Sequence, residues 1–457
     1  MNSAKKIIIL IGDIAVLYGA LAITLVLRYG QTGATDVWGS HILPFGIVFL
    51  IWLVVFFIDS LYDLKTLRSR AELLLRLARD LAIGGVLAAV FFYFAVDRLF
   101  TIRPQRVLLI ILGTSFVLLY IWRIIASLAY RSSRLAEKIV IIGLNETAVE
   151  LINTLSSKAE LGYKVSGVFI ENSNLSNKLP ANIKINHDLS NLRSFCQANK
   201  IDAVISTTHP RQDKKIMKHL FECLPLKLDF YELPHFYEKV SGLVPVEELE
   251  QVWFLENLNP KARKRFGIVK NILDWLMGLI LFTGSLPLWP IIAMAVKIDS
   301  PGPILFKQNR SGKNGKIIKA IKFRSMRTDA EADGPQWATR NDPRVTRVGK
   351  FIRKTRLDEI PQLFNVLRGE MAVIGPRPER PEFIEQLEKQ IPFYRERLLV
   401  KPGLTGWAQI NLPYGESVEH AMQKLQYDLY YIKNQSLVLD ISIILKTIKT
   451  VLSGVGQ

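Results

Sequence analysis

The sequence predicts a membrane protein in three parts: an N-terminal four-helix transmembrane bundle, a central doubly wound α/β domain, and a C-terminal, mostly helical monotopic domain seated by a re-entrant membrane helix. Three observations predict this. Four apolar segments of near-spanning length crowd the first third of the chain, short apolar runs alternate with amphipathic stretches in the middle, and a fifth apolar run, interrupted by prolines, precedes a basic C-terminal part. The boundaries are 1–135 for the bundle, 136–245 for the α/β domain, 246–270 for a linker and 271–457 for the last domain, whose re-entrant helix covers 272–296. With 457 residues and 49% hydrophobic content, the chain is neither disordered nor a small disulfide-stapled scaffold. A net charge of +18 requires an anionic counterpart. The positive mean hydropathy selects lipid over nucleic acid, and no nucleic-acid partner is expected.

The four spans are Ile7–Leu27, Ile42–Ile58, Leu81–Val96 and Val107–Tyr130, each close to the roughly 20 residues that cross about 30 Å of hydrocarbon. The only A-x-A match of the first span, Ala20-Leu21-Ala22, lies inside its apolar run, so an anchor is expected rather than a cleaved signal peptide. Lys5 and Lys6 precede span one, Lys65, Arg68, Arg70, Arg76 and Arg79 lie between spans two and three, and Arg131, Arg134 and Lys138 follow span four. The segment Gln31–Ser40 carries no Lys or Arg, so the positive-inside rule puts both ends of the bundle in the cytoplasm. The loop bearing Arg98 and Arg103 is a mild exception. A bacterial inner membrane with the remaining chain on its cytoplasmic side is the expected location.

From Glu137, Ile139–Ile142, Val165–Ile170, Ala203–Ser206 and Lys227–Tyr231 read as strands with helices between them, a βαβ pattern. The first strand runs into Gly143-Leu144-Asn145-Glu146-Thr147-Ala148, which keeps only the first glycine of G-x-G-x-x-G. No dinucleotide cofactor is expected there. The six histidines are scattered, and Cys196 and Cys223 match no metal spacing, so neither metal-histidine chemistry nor a disulfide framework is indicated.

Gly242–Lys270 passes from acidic (Glu247, Glu248, Glu250) to basic (Lys261, Arg263, Lys264, Arg265, Lys270) and reads as a linker. The run Ile272–Val296 is long enough to span but contains Asp274, Pro287 and Pro290. Proline inside a helix removes a backbone bond and bends the axis. A full crossing would put the basic chain behind it on the wrong side, so a helix that breaks near Ser285-Leu286-Pro287 and leaves on the side it entered is expected. From Lys261 onward, 32 Lys/Arg face 18 Asp/Glu, so +14 of the +18 lies here. Leu437–Leu452 reads either as an interfacial amphipathic helix or as an ordinary packed one.

Cations cluster at three short turns: Lys322-Phe323-Arg324-Ser325-Met326, Asp342-Pro343-Arg344-Val345-Thr346-Arg347 and Gly375-Pro376-Arg377-Pro378. Guanidinium forks grip phosphate oxygens bidentately, which makes each a plausible phosphate clamp. Between the last two stands Arg353-Lys354-Thr355-Arg356-Leu357-Asp358-Glu359-Ile360-Pro361-Gln362. Adjacent carboxylates on a helix diverge by about 100°, so Asp358 and Glu359 suit different tasks rather than a shared proton. Among cations Asp358 should stay ionised and can attack phosphorus, while Glu359 can hold Mg²⁺. Surface ion pairing is the alternative that spacing alone leaves open.

Asp342-Pro343-Arg344-Val345-Thr346, Leu357-Asp358-Glu359-Ile360-Pro361-Gln362-Leu363-Phe364-Asn365-Val366, Gly375-Pro376-Arg377-Pro378, Lys401-Pro402-Gly403-Leu404-Thr405-Gly406-Trp407-Ala408-Gln409 and Tyr427-Asp428-Leu429-Tyr430-Tyr431 resemble the bacterial sugar transferases known as polyprenyl-phosphate glycosyl-1-phosphate transferases. The likeness covers about Lys261 to Gly456. Four preceding spans and a Rossmann-like domain are similar to the long-form members, which initiate O-antigen, capsule or exopolysaccharide assembly. The resemblance implies that Asp358 is the nucleophile that takes a sugar phosphate from a UDP-sugar and releases UMP. It implies that Glu359 is the Mg²⁺-associated carboxylate, that Lys322, Arg324, Arg353 and Arg377 surround phosphates, and that Pro287 kinks the re-entrant helix. Polyprenyl (undecaprenyl) phosphate is the implied acceptor. Asp428 falls in a family motif with a structural or a catalytic role, and the central domain suggests a shared fold and contacts of a homodimer.

Two other functions compete. A nucleotide-sugar epimerase or dehydratase would need the missing glycine loop and a Tyr-x-x-x-Lys pair, and no such pair occurs in the central domain. A non-catalytic membrane scaffold or regulator would bind lipid phosphate without releasing UMP. A transporter is disfavoured because the spans show few charges and no repeat.

Overall fold

The computed structural model describes residues 2–59, 61–62, 70–95, 105–131, 136–158, 161–170, 174–181, 183–209, 213–258, 260–332, 334, 342–413, 415 and 417–453. Lys65, Arg68, Arg98, Arg103 and Arg134, used above to orient the bundle, lie outside the described residues. The chain divides into two compact units, Met1–Phe236 and Tyr237–Gln457.

The first unit opens with α1 (Asn2–Ile58), α2 (Arg70–Ala95) and α3 (Gln105–Arg131). The apolar stretch Ile7–Ile58 within α1 holds 52 residues. At 1.5 Å per residue a straight helix of that length would reach about 78 Å, far beyond one bilayer. Gly30 breaks it, with φ 76° and ψ 176°, a conformation closed to most side-chain-bearing residues. The chain then folds back, since the rings of Tyr18 and Phe49 meet at 5.2 Å and those of Tyr29 and His41 at 6.1 Å. Four apolar helical segments result, and Gln31–Ser40, read above as a connection, is helical. Trp52, Phe45, Leu77 and Ile111 fill the bundle core. The spans also enclose more charge than their composition suggested. Arg123 is gripped by Asp13 through Nε at 3.1 Å and Nη2 at 2.5 Å, and it donates to the Leu61 carbonyl at 2.7 Å. Both side chains are essentially inaccessible.

The α/β part contains β1 (Glu137–Ile142), α4 (Glu146–Ser157), β2 (Tyr163–Phe169), β3 (Lys184–Asn186), α5 (Leu192–Asn199), β4 (Ala203–Ser206), α6 (Lys214–Glu222) and β5 (Asp229–Glu232). All strands are parallel in the order β3-β2-β1-β4-β5, a doubly wound sheet whose order reverses between β1 and β4. The four expected strands are present. The edge strand β3 is three residues long and exposed, which leaves it no apolar signature. After β1, Asn145 caps α4 by accepting the Ala148 N–H at 2.9 Å.

The unit boundary falls within α7 (Leu233–Ser241). The second unit continues with α8 (Gln251–Asn257), α9 (Pro260–Ser285), α10 (Leu288–Asp299), the antiparallel hairpin β6 (Leu305–Ser311) and β7 (Ile317–Phe323), α11 (Arg347–Lys354), a 3₁₀ turn over Leu357–Gln362 and α12 (Leu363–Leu367). It ends with β8 (Ala372–Ile374), α13 (Pro381–Leu387), β9 (Gly403–Thr405), α14 (Trp407–Asn411), α15 (Val418–Lys433) and α16 (Leu437–Ser453), β8 and β9 being parallel. Val246, Val366, Val373, Leu425, Leu429 and Ile443 form its main core.

Much of the stretch that reads as a linker belongs to that core. Val244, Val246 and Leu249 are buried in it, the Val244 N–H reaches the Gln426 carbonyl, and the Trp407 indole donates to the Gly242 carbonyl at 2.8 Å. The apolar residues alternate with acids there, which hides them from a composition count. The helix break falls at Leu286-Pro287, as the prolines suggest. Gly278 of α9 lies against Val366, and Ile292 and Val296 of α10 pack with Phe323 and Ile352. Between those contacts Ile280, Leu281, Leu286 and Ile291 are exposed. Asp274, an oddity in an apolar run, accepts the Val373 N–H at 3.2 Å and pairs with Lys270, which also meets Asp440 at 2.8 Å. That pairing docks one face of α16, whose Val438 and Ile441 stay exposed.

Candidate active site

Asp358 and Glu359 sit on the 3₁₀ turn, not on an α-helix. With three residues per turn, successive side chains diverge by about 120°. Arg356, just ahead, holds a left-handed φ of 59°, a strained conformation for a residue with a side chain. Its guanidinium stands 3.8 Å from Glu359. The turn packs on β7, which among the described residues has only β6 as a strand neighbour. Asn365 supplies what a second neighbour would: its amide donates to the Lys319 carbonyl at 2.8 Å and its oxygen accepts the Ile321 N–H at 3.2 Å. This fixes the strand that carries Lys322.

Glu359 is the hub. Its Oε1 accepts from Lys322 Nζ at 2.9 Å and Arg377 Nη2 at 2.7 Å. Among the described residues Oε2 takes no such partner. Burial pushes this carboxyl up, but Arg377, Lys322 and Arg356 together outweigh it and hold Glu359 well below the ordinary range. Asp358 is buried as well, yet among the described residues its carboxylate takes neither a hydrogen bond nor an ion pair. Burial, then the Glu359 charge, push its pKa up, and Lys322, Arg353 and Arg377 only partly offset them. The expectation from sequence was the opposite pull, from cations alone. Desolvation and the neighbouring anion win because Glu359 takes the direct contacts. Arg310, Lys322, Glu359, Gln362 and Arg377 line a small cleft that opens to solvent.

Of the other residues expected at phosphates, Arg353 is within electrostatic reach of Asp358, but Arg324 is turned elsewhere. Its guanidinium donates to the carbonyls of Ser300 at 2.6 Å and Pro301 at 2.5 Å, beyond the C-terminus of α10, where a cation also suits the helix dipole. The Asp342–Arg347 turn is internally paired, with Arg344 gripping Asp342 at 2.8 and 2.5 Å. Pro287 is at the helix break.

Sequence reasoning missed a second layer behind the cleft. Glu379 lies among Lys424, in a close ion pair, and Arg310 and Arg397, each at 3.8 Å. Arg397 pairs with Asp428 at 2.8 Å. Glu379 follows the Gly375–Pro378 motif directly, and Asp428 was flagged by its own motif. Arg310, Arg397 and Lys424 carry no local signal, since their partners are remote in sequence. The two glycine motifs explain each other: a Cβ on Gly403 would stand 2.1 Å from the Gly375 nitrogen, so only glycine lets β8 and β9 close on each other here.

Glu359 Oε2, which takes no partner among the described residues, leaves an oxygen donor for Mg²⁺ of the kind held by one or two carboxylates plus substrate phosphates. Among the described residues there is no cluster of three or more His, Cys, Asp or Glu that would form an all-protein metal cage.

Residues 265–454 match the bacterial sugar transferase family, and residues 58–234 match a CoA-binding domain family. The UDP-glucose:undecaprenyl-phosphate glucose-1-phosphate transferase of Klebsiella pneumoniae is 33% identical over 313 residues, covering 68% of this chain and 67% of that protein. The chain belongs to the bacterial sugar transferase family. The Aeromonas hydrophila UDP-N-acetylgalactosamine-undecaprenyl-phosphate N-acetylgalactosaminephosphotransferase is 42% identical over 52% of this chain and 56% of its own length. The UDP-glucose:undecaprenyl-phosphate glucose-1-phosphate transferase of Xanthomonas campestris pv. campestris is 36% identical over 69% of this chain and 66% of its own. The chain thus spans between half and two thirds of the length of these two relatives. The sugar transferase match contains Asp358, the cleft lined by Glu359 and the layer behind it.

Proposed function

We propose that this protein transfers a sugar 1-phosphate from a UDP-sugar to undecaprenyl phosphate in the bacterial inner membrane, through a covalent intermediate on Asp358. One observation carries the reading: side by side on one turn, Glu359 collects the cations while the buried Asp358 carboxylate takes no hydrogen bond or ion pair among the described residues. The relatives' names supply the substrate class.

An Asp358 oxygen attacks the sugar-bearing phosphorus of the donor. The new carboxyl–phosphorus bond forms as the bond to the bridging oxygen breaks, and UMP departs with that oxygen and its electron pair. A polyprenyl phosphate oxygen then attacks the same phosphorus and expels the Asp358 carboxylate, giving polyprenyl diphosphate sugar. Both steps bring anions together, so positioning and charge stabilisation dominate. Lys322 and Arg377 face the diphosphate in the cleft, Arg353 lowers the cost of charge at Asp358, and burial keeps the carboxylate basic enough to attack. When bound, Mg²⁺ would be held by Glu359 Oε2 and would neutralise phosphate charge.

We read α9 and α10 as a re-entrant pair because both limbs pack on the domain that they connect, with an apolar apex between them. Arg324 then ties the exit of α10 to the strand that carries Lys322. The reading is tested with donor labelled at the sugar-bearing phosphate: wild-type protein should retain label and release UMP, and Asp358→Asn should do neither. Label retained by Asp358→Asn rejects the nucleophile.

A further inference from the structure

The turn that carries Arg377 into the cleft has every main-chain carbonyl from 376 to 379 occupied. Pro376 accepts the Gly403 N–H at 2.8 Å and Glu379 accepts the Ser311 N–H at 2.8 Å. The two carbonyls between them are held by arginine side chains, Arg377 by Arg397 Nη2 at 3.1 Å and Pro378 by Arg310 Nη1 at 3.2 Å. Arg397 is almost wholly buried and is itself fixed three ways: Nη2 donates to Asp428 Oδ2 at 2.8 Å, Nη1 donates to the Tyr394 hydroxyl at 2.9 Å, and Nη1 lies 3.8 Å from Glu379. A guanidinium serves three acceptors at once because its donors are splayed in a rigid plane, and a lysine cannot replace it there. The Arg377 guanidinium, whose carbonyl is so held, reaches Glu359 at 2.7 Å.

We propose that Arg397, oriented by Asp428, is a positioning residue that acts through Arg377, fixing its main chain so that its guanidinium meets the donor's diphosphate. This rests on the reading of the cleft as a diphosphate seat and gives the Tyr427-Asp428 motif a definite task. Asp428 touches no substrate. It sets the plane of Arg397, which sets the turn.

A double-mutant cycle tests it, with UDP as the probe and its affinity measured on the full chain in lipid nanodiscs. A residue that acts only through Arg377 loses its effect once Arg377 is gone, whereas a merely structural residue multiplies its loss with any other. Arg377→Ala should weaken UDP binding at least about tenfold, Arg397→Lys should weaken it roughly fivefold to tenfold, and the double variant should bind within about threefold of Arg377→Ala. Multiplying losses, an unchanged affinity in Arg397→Lys, or an unchanged affinity in Arg377→Ala each overturn the proposal. Should Arg397→Lys lose its cooperative thermal transition, Asp428→Asn takes its place in the cycle with the same expected pattern. UDP does not react, so the cycle is independent of the nucleophile: a cycle as expected with label retained by Asp358→Asn rejects the covalent step and keeps the positioning role.

Discussion

Glu379 offers a stability test of the layer behind the cleft. Its side chain is 15% exposed and faces Lys424, Arg397 and Arg310. Burial pushes this carboxyl up, yet the three cations more than reverse that and bring it from the ordinary 4.5 to about 2. Such a fall corresponds to about 3 kcal/mol of favourable interaction with the ionised form. In a unit of this size, Glu379→Gln should therefore lower the thermal midpoint by roughly 6 to 12 °C at pH 7. The sign with pH follows from the depressed value. The contribution is fully present above the unfolded-state pKa near 4.5 and is lost as pH falls through about 2. Roughly half should be gone by pH 3. Thermal scans of the full chain in detergent, followed by tryptophan fluorescence between pH 7 and pH 3, measure the gap between wild type and variant. A gap under about 2 °C at pH 7, or one that does not narrow toward pH 3, refutes the reasoning.

Two further predictions concern the membrane parts. Removing one member of the buried Asp13–Arg123 pair strands the other, so Arg123→Met should destabilise the bundle by about 3–5 kcal/mol, and adding Asp13→Leu should recover most of it. Equal midpoints for the single and double variants in detergent would argue against the pair as the cause. For topology, Thr32→Cys should react with an impermeant maleimide on intact spheroplasts and Lys313→Cys only after permeabilisation, with the native Cys196 and Cys223 shielded by burial. Labelling of Lys313→Cys in intact cells would rule out the re-entrant helix.

Composition and period carried the architecture. The spans show because a bilayer demands about 20 apolar residues, the buried strands β1 and β4 because parallel sheets bury continuous apolar runs, and the break at Leu286-Pro287 because proline cannot continue a helix. What stayed hidden depends on distant partners. Val244, Val246 and Leu249 face a core built mostly from residues more than a hundred positions away, so their stretch reads as a linker. Arg324 and Arg377 look alike in sequence, each an arginine in a short basic turn, but one meets backbone carbonyls and the other a carboxylate. A guanidinium satisfies either acceptor, and only the fold decides which it meets. The adjacency of Asp358 and Glu359 and their suitability for different tasks were legible, but the contacts that set them apart were not, because these depend on which one the 3₁₀ turn delivers to the cations.

That division has a physical logic. Lys322, Arg356 and Arg377 converge on one point, and like charges held close in a partly desolvated cleft repel each other strongly. An internal anion is needed to hold them there before substrate arrives. If the nucleophile were that anion, its lone pairs would be committed to hydrogen bonds and its basicity would fall with its pKa. Placing the counter-charge on the next residue, about 120° around the turn, separates the two needs. Glu359 assembles the cationic cleft, and burial together with the same negative charge, felt through space, raises the pKa of Asp358. On the function proposed above, an incoming diphosphate would meet cations already gathered, beside a carboxylate that among the described residues has no hydrogen bond to break.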